Sequence, residues 1–164
     1  MYKKIKGFHS YNARLFIFIF ISACRRDTIL YSEQVKIDGG WTYADSLQFA
    51  FSVSDTSTAY DLMLHVTHAK DYAWENIYVR IKTFFPDDSM KTDILSLDLA
   101  DGGVWVGSCS REKCRLTIPL QQYIRFPLPG EYALTFEQYM RQGVVPGILG
   151  LGLTVVEAKG VKDQ

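Results

Sequence analysis

An alternation of apolar and polar side chains with a period of two runs through this chain from Leu47 to Val155, and it constrains the fold more than any other feature. Leu47, Phe49, Phe51 and Val53 alternate with Gln48, Ala50 and Ser52, and Tyr60, Leu62, Leu64 and Val66 alternate with Asp61, Met63, His65 and Thr67. Ile77, Val79 and Ile81 oppose Tyr78, Arg80 and Lys82, and Leu95, Leu97 and Leu99 oppose Ile94, Ser96 and Asp98. The pattern returns in Leu116-Ile118-Leu120, Tyr132-Leu134-Phe136 and Leu149-Leu151-Leu153-Val155. Successive side chains of a strand point to opposite faces, so each segment reads as a strand with one buried face. Residues Ile29–Ile37 supply an eighth strand of weaker alternation. Turn residues separate the segments: Asp38-Gly39-Gly40, Phe85-Pro86-Asp87-Asp88, Asp101-Gly102-Gly103, Pro127-Leu128-Pro129-Gly130 and Val145-Pro146-Gly147. No stretch has a long helical period, and only Glu137–Gln142 could form a single turn. Short strands at this spacing predict an all-β chain, a single antiparallel β-sandwich of about seven or eight strands, jelly-roll-like in the closest alternative. Gly150 and Gly152 lie opposite the leucines of the last strand, which predicts either something bulky packed closely over that face, as in a ligand groove, or a locally thin sandwich edge.

The first 23 residues follow a different logic. Lys3, Lys4, Lys6 and Arg14 precede an unbroken apolar run, Leu15 to Ile21, and then Ser22-Ala23-Cys24. A charged end, an apolar middle and small residues at the junction are the layout of a secretory signal. A spanning helix needs about 20 apolar residues. This run has seven and is closed by Arg25 and Arg26. The sequence Ile21-Ser22-Ala23-Cys24 resembles the lipobox of bacterial lipoproteins, which implies a diacylglycerol on the Cys24 thiol and cleavage before it. The expected organisation is a signal peptide over 1–23, a lipidated tether over 24–28 and a β-sandwich domain over 29–164.

Removing the signal changes the charge reading. The whole chain has 18 basic and 18 acidic residues; without the four signal cations it has 14 against 18, a net charge of −4. Nucleic acid needs a basic surface and is not an expected partner. Cys109 and Cys114 remain once Cys24 is lipidated, with four residues between them, and read either as a short-loop disulfide suited to an exported protein or as two free thiols. No other Cys or His lies near them in sequence, so no metal site is expected.

Candidates for chemistry are few. His65 and His68 are three apart on a strand and so fall on opposite faces, where they cannot easily share a metal. No nucleophile elbow, P-loop or dinucleotide fingerprint is present. Glu75, Glu131 and Glu137 are isolated carboxylates without a partner fixed by spacing. The aromatic residues near turns carry more information. Trp41 and Tyr43 follow Gly39-Gly40, Tyr72 and Trp74 lie in the connection after His68, and Trp105 follows Gly102-Gly103. Such side chains either stack on a sugar or anchor a protein partner, or they close the ends of the sandwich as core, the role tryptophan's average burial favours.

Beyond the lipobox, a series of segments resembles the gliding-motility lipoprotein family GldH of Bacteroidota. They are Gly39-Gly40-Trp41, Asp71-Tyr72-Ala73-Trp74-Glu75-Asn76-Ile77-Tyr78, Thr83-Phe84-Phe85-Pro86-Asp87, Asp98-Leu99-Ala100-Asp101 with Gly103-Val104-Trp105-Val106-Gly107, Arg125-Phe126-Pro127 with Gly130-Glu131-Tyr132, and Glu137-Gln138-Tyr139-Met140-Arg141 through Pro146-Gly147-Ile148 to Gly152-Leu153. Their order and spacing cover nearly all of the chain after Cys24. The resemblance implies a membrane-attached envelope protein tied to the gliding machinery and the associated type IX secretion pathway. It brings no catalytic residue and no cofactor, only the lipidated cysteine, which matches Cys24. The Cys109/Cys114 pair is a departure from it.

The expectation is thus a non-enzymatic envelope lipoprotein, held to the membrane by its lipid and acting through contacts with other envelope or gliding and secretion proteins. The rival is a glycan-binding sandwich module using Trp41, Tyr72, Trp74 or Trp105. Arg25 is not the Asp that retains enterobacterial lipoproteins in the inner membrane, and the tether begins Arg25-Arg26, whereas surface export in Bacteroidota is associated with acidic residues near the cysteine. The expected location is the outer membrane, facing the periplasm.

Overall fold

The computed structural model describes residues 27–159, which hold thirteen strands. In chain order these are β1 (Ile29–Lys36), β2 (Trp41–Thr42), β3 (Leu47–Val53), β4 (Tyr60–Ala69), β5 (Asn76–Phe84), β6 (Met90–Asp98), β7 (Ala100–Asp101), β8 (Val104–Trp105), β9 (Ser108–Cys109), β10 (Lys113–Ile124), β11 (Gly130–Gln138), β12 (Val144–Val145) and β13 (Ile148–Glu157). The signal segment and Cys24 fall outside the described residues.

Eight long strands form two antiparallel sheets, ordered β1-β13-β4-β10 with short β9 beyond, and β3-β11-β5-β6. Counting only the long strands, the first pairs with the eighth, the second with the seventh, the third with the sixth and the fourth with the fifth. That nesting is a long hairpin rolled up on itself, the jelly-roll order. The remaining short strands are ladders in the connections, too brief for any period to reveal. Among the described residues there is no helix, and Glu137 and Gln138 end β11 where a helical turn could have formed.

The alternation builds the core directly. β4 reads buried and half-buried in strict succession, and β3 alternates buried with exposed. Phe49 meets Phe136 edge-on at 5.7 Å. Phe51 packs against Tyr31, Phe126 and Tyr132. Each such side chain contributes about 1.5–3 kcal/mol by leaving water. Leu95 departs from the pattern: Leu97 and Leu99 are buried, but Leu95 is 37 % exposed on edge strand β6.

Gly150 and Gly152 are where β1 comes close. A Cβ on Gly150 would stand 2.7 Å from the Val35 carbonyl oxygen, and one on Gly152 2.9 Å from that of Glu33. The space a side chain would need at these positions is taken by the backbone of the neighbouring strand β1.

The sandwich has two unlike ends. At one, Glu157 N–H donates to Thr28 O and Ala158 N–H to Ala59 O, so both described termini meet there. Tyr60, Phe126 and Tyr132 seal that terminal end. At the opposite end lie the connections holding Trp41, Tyr72, Trp74 and Trp105.

Candidate functional site

Four of the aromatic residues marked by the sequence converge on the end away from the termini, but they do not form a flat face. Trp41 is fully buried and donates Nε1–H to Asp45 O at 2.9 Å. It lies in the β2–β12 ladder opposite Val145, and cannot meet a ligand there. Tyr72 is also buried, and burial pushes its phenol pKa up; its hydroxyl donates to Asn76 O. Trp74 and Trp105 are half-buried. Trp74 meets Tyr72 at 66°, and Trp105 at 48°. Stacking on a sugar needs a broad exposed ring, whereas these rings interlock edge to face as core rings do. Trp105 is held by an Nε1–H bond to Lys70 O at 3.0 Å.

His68 belongs to this cluster, its ring 4.6 Å from that of Trp105. Its Nδ1 donates to Ala69 O, and Nε2 is buried without a hydrogen-bond partner. His65 points to the other face, as the strand period requires, between Thr117 Oγ1 and Thr154 Oγ1, each at 2.9 Å. Burial lowers its pKa. Among the described residues no His, Cys, Asp or Glu group has metal-binding geometry.

Glu137 is bonded by Lys82 Nζ at 2.6 Å and Arg80 Nη1 at 3.3 Å. The Lys82 bond, with help from Ser46 and Arg80, keeps its pKa below the ordinary glutamate range. A carboxylate held ionised this way is a structural tie between β5 and β11.

Beside this tie is a tyrosine-rich patch of which the sequence reading marked only Tyr43, as an aromatic after Gly39-Gly40. Tyr43, Tyr78, Tyr139 and Val144 are 53, 45, 44 and 47 % exposed. They form one surface. Tyr43 O–H donates to Met140 O, Tyr43 N–H to Gly143 O, and Tyr139 N–H to Tyr78 O. Arg80 lies 4.4 Å over the Tyr139 ring. Tyrosine and arginine are the residue types that dominate binding energy at protein interfaces. The signal was available: Tyr78 occupies the outward face of a strand whose inward face is Ile77, Val79 and Ile81.

Cys109 and Cys114 are joined, with Cα atoms 4.0 Å apart, as directly opposed residues of the β9–β10 hairpin. The bridge clips the connection that carries Trp105. Cys24 lies outside the described residues.

A family model described as GldH lipoprotein matches residues 29–155. The match runs from the start of β1 to Val155 in β13. No curated protein matches the chain.

Proposed function

This chain belongs to the GldH lipoprotein family, a lipoprotein family tied to gliding motility, and from that premise we propose that it is a non-enzymatic assembly component of the gliding and type IX secretion apparatus. In this reading Cys24 carries the lipid, the outer membrane is its location with the domain facing the periplasm, and the Tyr43–Tyr78–Tyr139–Val144 patch meets a protein partner.

One observation carries the reading: the chain's entry and its tyrosine patch are at opposite ends of the sandwich. β4 crosses from the terminal end to the patch end in 10 residues, so the patch stands roughly 30 Å from the anchored end at about 3.3 Å per residue. A lipid just upstream of Asp27 holds the terminal end at the membrane and turns the patch outward. Two or more acyl chains make such an anchor stable.

The test is co-purification from native envelopes with the wild-type chain and with Tyr43→Ala/Tyr139→Ala. We expect gliding or secretion components with the former and at least a tenfold loss with the latter, while membrane attachment stays unchanged. Recovery of the wild-type protein alone would refute the assignment. A glycan role predicts instead that Trp74→Ala/Trp105→Ala abolishes retention on cell-wall polysaccharide; the tilted, half-buried rings give that reading little support.

A further inference from the structure

The two margins of the sandwich differ. At one, β1 and β3 approach each other. At the other, β6 and the second half of β10 stand apart over a cleft of about 470 Å³. Its floor is the core itself, Leu62, Ile81 and Leu134, and Leu95 and Leu120 form its walls. Phe85, Phe126, Arg125 and Ile124 lie at its terminal end. This is why Leu95 breaks the alternation rule: it faces inward, into a space that no other side chain of the described residues fills.

The cleft has the volume of a small-molecule site, which runs from about 300 to 1,000 Å³. Both strand edges beside it discourage an added strand. β10 carries Pro119 and two breaks in register, between Pro119 and Gln121 and between Gln121 and Ile124, with Tyr123 at a φ of 54°. β6 carries Lys91 and Asp93, paired at 3.0 Å. Proline, bulges and charge are the devices by which sheets block edge pairing. An occupant that needs no backbone hydrogen bonds fits better, namely a flexible hydrocarbon chain.

The position of the chain's entry says which one. Asp27 pairs with Lys159 Nζ at 2.8 Å, and the carbonyl of Lys159 accepts the Tyr123 hydroxyl. Tyr123 adjoins Ile124 and Arg125, which line the cleft. Cys24 precedes Asp27 by three positions, with only Arg25 and Arg26 between them, so the cysteine is tethered within ~10 Å of Asp27 at full extension. A group on so short a tether reaches a high effective concentration at the cleft mouth. Arg125, steadied by its Nε–H bond to Ser57 O, offers a cation there to the polar end of the lipid.

We propose that this cleft is an acyl-chain site and that its occupant is one of the chains borne on Cys24. The inference rests on the lipoprotein reading of Cys24. Its use is greatest whenever the protein is away from a bilayer, where an exposed acyl chain would meet water.

Cells fed a palmitate analogue with a diazirine near the chain terminus would incorporate it on Cys24. After irradiation and digestion, the expected product is a peptide from β6 or from the second half of β10 cross-linked through the acyl chain to the Cys24 peptide of the same molecule. Leu95→Trp, which fills the cleft, should reduce that product at least fivefold. Should Leu95→Trp fail to fold, Leu120→Trp serves the same purpose. A label on Cys24 with no cleft cross-link would overturn the proposal and leave the lipoprotein reading standing. A cleft peptide carrying a whole phospholipid would overturn the choice of occupant. Absence of any label on Cys24 would overturn the lipoprotein reading, and this proposal with it.

Discussion

Gly150→Ala sets two effects of opposite sign against each other. Glycine inside a strand costs roughly 0.5–1 kcal/mol relative to alanine, so local propensity alone predicts a gain. The packing predicts a loss. Gly150 lies in β13 between Lys36 of β1 and Thr67 of β4, and its added Cβ would be 2.7 Å from Val35 O, where ordinary contact begins at 3.4 Å. The missing 0.7 Å (3.4 less 2.7) must come from backbone, because the obstructing atom is a carbonyl oxygen in a ladder. Overpacking of this kind costs about 1–3 kcal/mol, which exceeds the propensity gain and leaves a net loss on the order of 1–2 kcal/mol. At roughly 3–6 °C per kcal/mol for a domain of this size, the midpoint of thermal unfolding should fall by about 5 °C. The control is Gly143→Ala, where a Cβ meets nothing within 4 Å. Circular dichroism melts would compare the two, and hydrogen exchange should show lost protection in β1 while the β5–β11 ladder keeps its own. Equal midpoints for the two variants would refute the close-approach argument.

Two further predictions concern the bridge and a histidine. Cys109→Ser opens a loop of sequence separation 5, for which chain entropy gives about 2 kcal/mol; chemical denaturation should show it, and added reductant should destabilise wild type but not the variant. Burial holds the His65 pKa below its ordinary 6.5, so as pH falls the unfolded chain binds the proton first. Its contribution to stability is therefore complete above about pH 7 and declines as pH drops through 6.5 toward the lowered native value. His65→Gln should flatten the stability profile between pH 7 and 5, and an unchanged slope there would count against the burial.

The sandwich was legible because its long strands each pack one face against the opposing sheet, so period two survives in β3, β4, β5, β11 and β13. β1 was fainter for a physical reason: it is an edge strand with little buried surface, and weak burial leaves weak alternation. The two-residue ladders β2, β7, β8, β9 and β12 could not be read, being shorter than one repeat of the pattern. Trp41 and Trp105 illustrate the limit at the site. Both follow a double glycine, yet one is sealed under β12 and the other is half-open, a difference set by which distant strand arrives opposite. Tyr43, Tyr78 and Tyr139 come from three separate connections or strands, and only the rolled topology joins them.

That topology also ties the membrane end to the open margin. In a nested hairpin the first and last strands pair with each other, which brings the two termini to one end of one sheet. The same nesting leaves the turn strand, β6, at the far edge of the second sheet, across from β10. β10 then bends at its register breaks after Pro119 and ends at the terminal end, beside Tyr60 and Lys159. On the reading proposed above, a lipid on Cys24 would thus enter beside the mouth of the cleft between β6 and β10. The tyrosine patch is at the closed end, where rings and ion pairs fix its shape. Anchor and patch are separated by the length of β4 and share no loop among the described residues. A change in one should therefore leave the other intact: Leu95→Trp should still co-purify with the partners of the wild-type chain, and Tyr139→Ala should still cross-link within its cleft.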